Sequence, residues 1–225
     1  MCGYPVGEVS DGSTTKTIKL SRYTFATNGT QTDQGTNIIS SNFQELETSA
    51  YGNTTAKDLQ GFINSANTNG GYYLGRYEAS NNGGKVESKY DAKTWTSVTQ
   101  PTAATAARDM YTSNSSYTSD LVNSYAWDTA IVFIQNFGQG NYSRRTSLNT
   151  SQLNTGKAND EQLNINDMAG NILEWTTETF THASDPCVFR GGSFSYYSTF
   201  HSAYRYREST TCRTILIGFR SLLYM

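Results

Sequence analysis

The sequence predicts an α+β fold, on three observations. Leu59, Phe62, Ile63 and Ala66 fall on one helical face, at i, i+3, i+4 and i+7. Tyr72 to Ala79 has the aromatic composition of a strand. Two further helical patterns follow, one after Pro101 and one from Ser124.

Taken in order, residues 1–50 are rich in Thr, Ser, Gly and Asn, with strand-like runs at Thr17 to Leu20 and Tyr23 to Ala26, and they read as an extended N-terminal arm with turns. The first helix spans Thr55 to Ala66, with Thr55 and Asp58 spaced for a capping box. Asn67 to Gly71 breaks it, and the Tyr72 to Ala79 strand follows. Pro101 suits the first turn of an Ala-rich helix running to about Tyr111. Ser124 can cap a helix whose Trp127, Ala130, Ile131 and Ile134 share a face.

With 225 residues and 36% hydrophobic composition, the chain can bury one sizeable core, and a single domain over 1–225 is the simplest organisation. Only 16% of residues are charged and the net charge is −2, so the polarity lies in Ser, Thr, Asn, Gly and Tyr. Such a surface hydrogen-bonds and stacks, and does not attract polyanions, which excludes nucleic acid as a partner. No run reaches the about 18 apolar residues of a transmembrane span. Met1-Cys2-Gly3 is open to two readings, a trimmed start and an acylated lipoprotein terminus. Cys2, Cys187 and Cys212 allow at most one bridge, Cys187 to Cys212, with three unpaired thiols the equal alternative.

Asn164-Ile165-Asn166-Asp167-Met168-Ala169-Gly170-Asn171-Ile172-Leu173-Glu174-Trp175-Thr176 resembles the D-M-x-G-N-V-W-E-W-T signature of the formylglycine-generating enzyme family, a branch of the C-type-lectin-like fold. The resemblance continues in register through Arg190-Gly191-Gly192-Ser193-Phe194, Tyr204-Arg205-Tyr206-Arg207 and Ile217-Gly218-Phe219-Arg220. It covers about residues 70 to 225 and implies short helices around a twisted antiparallel sheet. Without the family, the same residues read as framework. Gly170 before Asn171 suits a turn with positive φ. Trp175 offers apolar surface, and Glu174 is an acceptor for Arg190 or Arg220. Asp167, Glu174, Arg190 and Arg220 are expected to be paired structural charges.

The resemblance implies a copper-binding pair of reactive cysteines between the G-G-S and Y-R-Y-R elements. Those positions fall at about Tyr196 and Ala203. A phenol and a methyl group supply neither soft-metal ligation nor thiol redox chemistry. The related sulfoxide synthases hold iron with three histidines, and only His182 and His201 occur here. The expectation is therefore a chain with no catalytic residues, no cofactor and no metal ligands. A formylglycine-generating-type oxidoreductase, or a degenerate relative of one, is the alternative.

The same branch supplies the variable proteins of diversity-generating retroelements, which this chain resembles. In them a G-G-S start and an I-G-F-R end are fixed while the residues between are rewritten at template adenines. A rewritten AAC codon can never encode Lys, Gln, Glu, Met or Trp. From Ser195 to Leu216 every residue except Glu208 belongs to the permitted set, although hairpins favour Tyr, Phe, Ser and Thr in any case. Cys212 to Leu216 shows neither strand alternation nor a turn signal.

The resemblance thus points to ligand binding by Ser195, Tyr196, Tyr197, Phe200, His201, Tyr204, Tyr206, Cys212, Arg213, Thr214, Ile215 and Leu216, within a variable region over 190–220. Tyr and Phe give large rigid contacts at low entropic cost, as in antibody loops. The expected partner is a protein or glycan target on another surface, and the expected location is extracellular, on a bacterium or phage virion. A fixed-specificity lectin is the other binding alternative. Calcium-mediated sugar binding is disfavoured, because no Asn or Asp follows Gly191. The sequons at Asn28, Asn53, Asn114, Asn141 and Asn149 are what an Asn- and Thr-rich chain contains by chance.

Overall fold

The computed structural model describes residues 1–35, 42–112 and 116–225, so part of the expected arm and the Asn114 sequon lie outside the described residues. The first 35 residues carry strand β1 (Cys2–Pro5) and two hairpins, β2 (Gly7–Ser10) with β3 (Thr15–Ile18) and β4 (Arg22–Phe25) with β5 (Gln31–Gly35). β6 (Phe43–Gln44) follows. Strands and turns were expected here, but this segment is no free arm. Tyr4, Ile18, Arg22 and Tyr23 are all buried, and β1 is part of the main sheet. The sequence hid this because alternating strands packed on one face contain few apolar residues.

Helix α1 is Leu59–Thr68. It starts later than the capping-box pattern suggested, because Asp58 itself is the N-cap, accepting from Gly61 N at 2.8 Å. Leu59, Phe62 and Ala66 face inward. β7 (Gly71–Leu74) is half the length expected, and the chain then turns into β8 (Ser80–Asn82) and β9 (Lys85–Glu87). Helix α2 (Gln100–Arg108) is capped by Thr99, with Pro101 in its first turn, where a missing N–H goes unnoticed. After β10 (Thr118–Leu121), helix α3 (Ser124–Phe137) is capped by Asn123, not Ser124, through a 2.9 Å bond from Ala126 N. α3 is buried almost all round, as its long apolar pattern requires.

The stretch from 138 to 172 contains little regular structure beyond β11 (Glu161–Gln162) and β12 (Ile165–Asn166). It turns repeatedly through left-handed conformations at Asn141, Asn159, Leu163, Asn164, Asp167 and Asn171. Four of these six are Asn, the side chain that tolerates positive φ most readily after glycine. The turn expected at Gly170 is therefore made by Asp167 and Asn171 on either side of it.

β13 (Leu173–Phe180), β14 (Cys187–Arg190), β15 (Arg205–Glu208) and β16 (Ile217–Phe219) form the second large sheet, in the order β15-β14-β13-β16, with β6 also pairing β13. β13 and β16 run parallel, and the other pairs are antiparallel. β17 (Ser221–Tyr224) returns to the first sheet, whose order is β1-β7-β17-β10. The α+β architecture of short helices around antiparallel sheets is as the sequence predicted. One core lies between the first sheet, α1 and α3, with Tyr4, Phe62, Tyr72 and Trp127. A second lies between α2 and the second sheet, with Ala103, Ala107, Trp175, Phe189 and Phe219, and a small third cluster joins Ile18, Tyr23 and Val132. Among the described residues, no helix is long and apolar enough to cross a membrane.

Candidate functional site

The segment from Gly191 to Leu216 leaves the second sheet after β14, returns to it as the edge strand β15 and leads out again to β16, and its two ends are sterically fixed. Gly191 has φ +87, and a Cβ on Gly192 would stand 2.2 Å from the Ala169 carbonyl oxygen. No other residue fits that close approach. At the far end Arg220 is wholly buried, donating to Glu174 at 2.7 and 3.0 Å and to the Gly75 and Asn166 carbonyls at 2.7 and 2.8 Å. Glu174 therefore takes Arg220, not Arg190.

Arg190 belongs to a second buried charge cluster. It reaches Asp128 on α3 at 2.6 Å and Glu178 on β13 at 3.5 Å. Arg205 contacts the same two carboxylates, and Arg22 pairs with Glu178. Burial alone would raise the Asp128 pKa, but Arg190 and Arg205 hold it below the usual carboxylate range. These ion pairs fasten β4, α3, β13, β14 and β15 to one another.

Between the fixed ends, the segment divides by exposure. Ser202 is buried and donates to the Tyr142 carbonyl at 2.6 Å, Ala203 enters the first core, and Arg205 is held by the charge cluster. The rings lie at the surface, Tyr196 and Tyr206 exposed and Phe200 and Tyr204 half-buried against the second core. Tyr196 stacks on Phe200 at 4.3 Å, Phe200 on Tyr204 at 3.9 Å and Tyr204 on Tyr206 at 6.2 Å, with interplanar angles of 22°, 13° and 11°. Four rings from a 3₁₀ turn, a loop and β15 thus form one continuous column.

Beside it, a cleft of about 130 Å³ is lined by Tyr196, Phe200, Tyr206, Cys212, Thr214 and Leu216, over a floor of Leu173, Phe189 and Ile217, with Glu208 on its wall. Six of the twelve residues singled out from sequence meet there. Ser195 and Tyr197 are exposed to one side, and Tyr197 takes part in no ring contact among the described residues. Arg213 is exposed, and Ile215 (58% exposed) lines a separate groove with Trp95 and Gln152.

Cys212 to Leu216 has the alternation that its residue types concealed. Cys212, Thr214 and Leu216 are half-buried toward the cleft, while Arg213 and Ile215 point out. His201 departs furthest from expectation. Its Nε2 lies 2.7 Å from Arg144 Nη1, its backbone bridges Thr146, and burial with the nearby arginine pushes its pKa down to about 4. It is a half-buried neutral imidazole tied to the 142–146 loop.

Sequence reasoning missed three kinds of residue. Ser198 and Thr199 are exposed next to the rings, although they fitted the permitted codon set. Leu173 and Phe189 reach the cleft from framework strands, and no local pattern betrays that. Glu208 had been noticed only as an exception to the codon set.

The copper of the formylglycine-generating enzymes does not fit these residues. Tyr196 is exposed in the ring column and Ala203 is in the core, so neither corresponding position offers sulfur. The three cysteines are all unbridged. Burial pushes the Cys187 thiol up to about 12, and burial and the Glu208 carboxylate raise that of Cys212, so both favour the protonated form that binds metal poorly. Cys2 is buried in β1.

No curated protein matches the chain. Among solved structures, CarF superposes with a TM-score of 0.44 at 16% identity, over 59% of this chain and 67% of its own. Treponema denticola variable protein 1 does so with a TM-score of 0.34 at 17% identity, over 65% of this chain and 54% of its own. The family described as "Sulfatase-modifying factor enzyme 1-like domain" matches residues 64–224. That match covers β7 to β17, all of the signature elements and the cleft, leaving β1 and β6 outside it, and the chain belongs to this family, with its C-type-lectin-like fold.

Proposed function

We propose that this chain is a non-catalytic binding protein whose C-terminal face, residues 195–216, is diversified as in the variable proteins of diversity-generating retroelements. The observation that carries the reading is the division of the segment by exposure. Ser202, Ala203 and Arg205, which the fold needs, share the segment with Tyr196, Tyr197 and Tyr206, which it presents outward, and with the half-buried Tyr204 between them. A rigid frame with replaceable aromatic anchors suits recognition, because such rings give large contact area at low entropic cost. The missing cysteine pair removes the redox chemistry of the family's enzymes. The target is a macromolecule on another surface, met outside the cell.

The test is genomic. Near the gene there should be a reverse-transcriptase gene and a near-copy of the segment encoding Arg190 to Arg220, with mismatches only at template adenines. Those mismatches should fall on codons of outward residues and spare Ser202, Ala203 and Arg205. A neighbourhood without such a copy would overturn the diversification and leave a binder of fixed specificity.

A further inference from the structure

The cleft beside the ring column has one charged side chain in its lining, Glu208. Its walls are otherwise aromatic, aliphatic or carry a hydroxyl or thiol. Glu208 is half-buried, the Cys212 thiol stands against its carboxylate, and no ion pair among the described residues involves it. Its neighbour Arg207 is outside the cleft lining, with its guanidinium toward Asp185 at 4.0 Å, over the Phe180 ring at 4.3 Å and 5.5 Å from the Tyr206 ring centre. A half-buried carboxylate among aromatic and aliphatic walls, with no ion-pair partner among the described residues, is complementary to a cationic occupant.

The rings choose among cations. Tyr196 and Tyr206, at the two ends of the column, each keep one ring face outside it, while Phe200, stacked on both sides, and the buried Phe189 complete an apolar passage for a methylene stem. A planar guanidinium stacks on such rings and meets a carboxylate through two parallel hydrogen bonds. About 130 Å³ admits one side chain and little more.

Building on the binding-face reading, we propose that this cleft receives a single arginine side chain of a partner protein, with Glu208 as its fixed acceptor. Glu is outside the set that a rewritten AAC codon can encode. The rim would therefore change its contacts from copy to copy while the preference for a basic anchor stays constant.

The test uses the whole chain and simple probes: acetyl-Gly-Arg-Gly-amide, its Gln counterpart, and methyl N-acetylglucosaminide. The readout is the ring resonances of Tyr196, Phe200 and Tyr206 by NMR. The arginine peptide should shift them saturably, at least tenfold tighter than the Gln peptide, and Glu208→Gln should erase that preference while leaving the free protein's ring spectrum intact. Equal binding of the two peptides, a preference that survives Glu208→Gln, tighter binding of the saccharide, or rings that no probe moves would each overturn it. The two readings fail separately. An inert Glu208 says nothing of a template copy in the genome, and a missing copy leaves the peptide result standing.

Discussion

The rings of Phe200 and Tyr204 lie 3.9 Å apart and 13° from parallel, which makes the middle of the outward segment a packed column and not a free loop. Its members should therefore respond differently to truncation. Phe200→Ala loses stacking on both Tyr196 and Tyr204, each pair worth about 0.5 to 1.5 kcal/mol, and should destabilise the chain by roughly 1 to 3 kcal/mol. Tyr197→Ala, at a side chain 50% exposed and outside the column, should stay within about 0.5 kcal/mol. Urea unfolding separates the two, and equal effects would show that the column does not pack.

Arg205 and Tyr206 are adjacent on β15 and do opposite work. Arg205 is bound to Asp128 and Glu178, so Arg205→Ala leaves buried carboxylates short of a partner and should cost about 3 to 5 kcal/mol. Tyr206, 44% exposed with one loosely stacked and one tilted neighbour, should cost roughly 1 kcal/mol when cut to Ala. Thermal unfolding of both variants checks this, and a tolerated Arg205→Ala would mean the cluster holds together without it.

Trp175 is fully buried, edge-on to Phe189 at 5.9 Å, and donates to the Val98 carbonyl at 2.9 Å. Trp175→Ala should cost about 3 to 5 kcal/mol. Trp175→Phe keeps most of the volume but strands the Val98 oxygen, for about 1 to 3 kcal/mol. Denaturant midpoints of the two variants should fall in that order, and a Phe variant as unstable as the Ala variant would put shape above the hydrogen bond.

What the sequence disclosed, and what it withheld, follows from the range of the interactions. Helices α1, α2 and α3 announced themselves because their signals lie within one or two turns. The wrong cap at Ser124 is a shift of one residue between two good capping side chains, Asn123 and Ser124. β1 in the main sheet was invisible, since its partner β7 lies some seventy residues on and four residues of Cys-Gly-Tyr-Pro give no period. The outward rings could be named from composition, yet their stacking could not, because it depends on where a 3₁₀ turn and β15 bring them. The partners of Arg190 and Arg205 are equally remote: Asp128 and Glu178 sit on other elements. The setting of His201 was hidden for the same reason, its Arg144 neighbour being 57 positions away.

Asp167 carries a pH signature. It is buried, its Oδ2 accepts from Gly156 N at 2.6 Å and its Oδ1 has no hydrogen-bond partner. Burial raises its pKa from 3.8 to about 6, with Asp160 and Glu174 adding to the rise and Gly156 and Arg220 opposing it. Between those values the folded chain holds a proton that the unfolded chain has released, so this contribution to stability is lost as pH climbs from 3.8 to about 6. Asp167→Asn removes the titration and keeps an acceptor for Gly156, at a φ of +67 that Asn tolerates. Relative to that variant, the parent chain should lose on the order of 2 to 3 kcal/mol across the window and nothing further above it. Urea unfolding of both proteins from about pH 4 to about pH 7 measures the difference. Parallel curves would mean that Asp167 ionises in the folded chain as it does in the unfolded one.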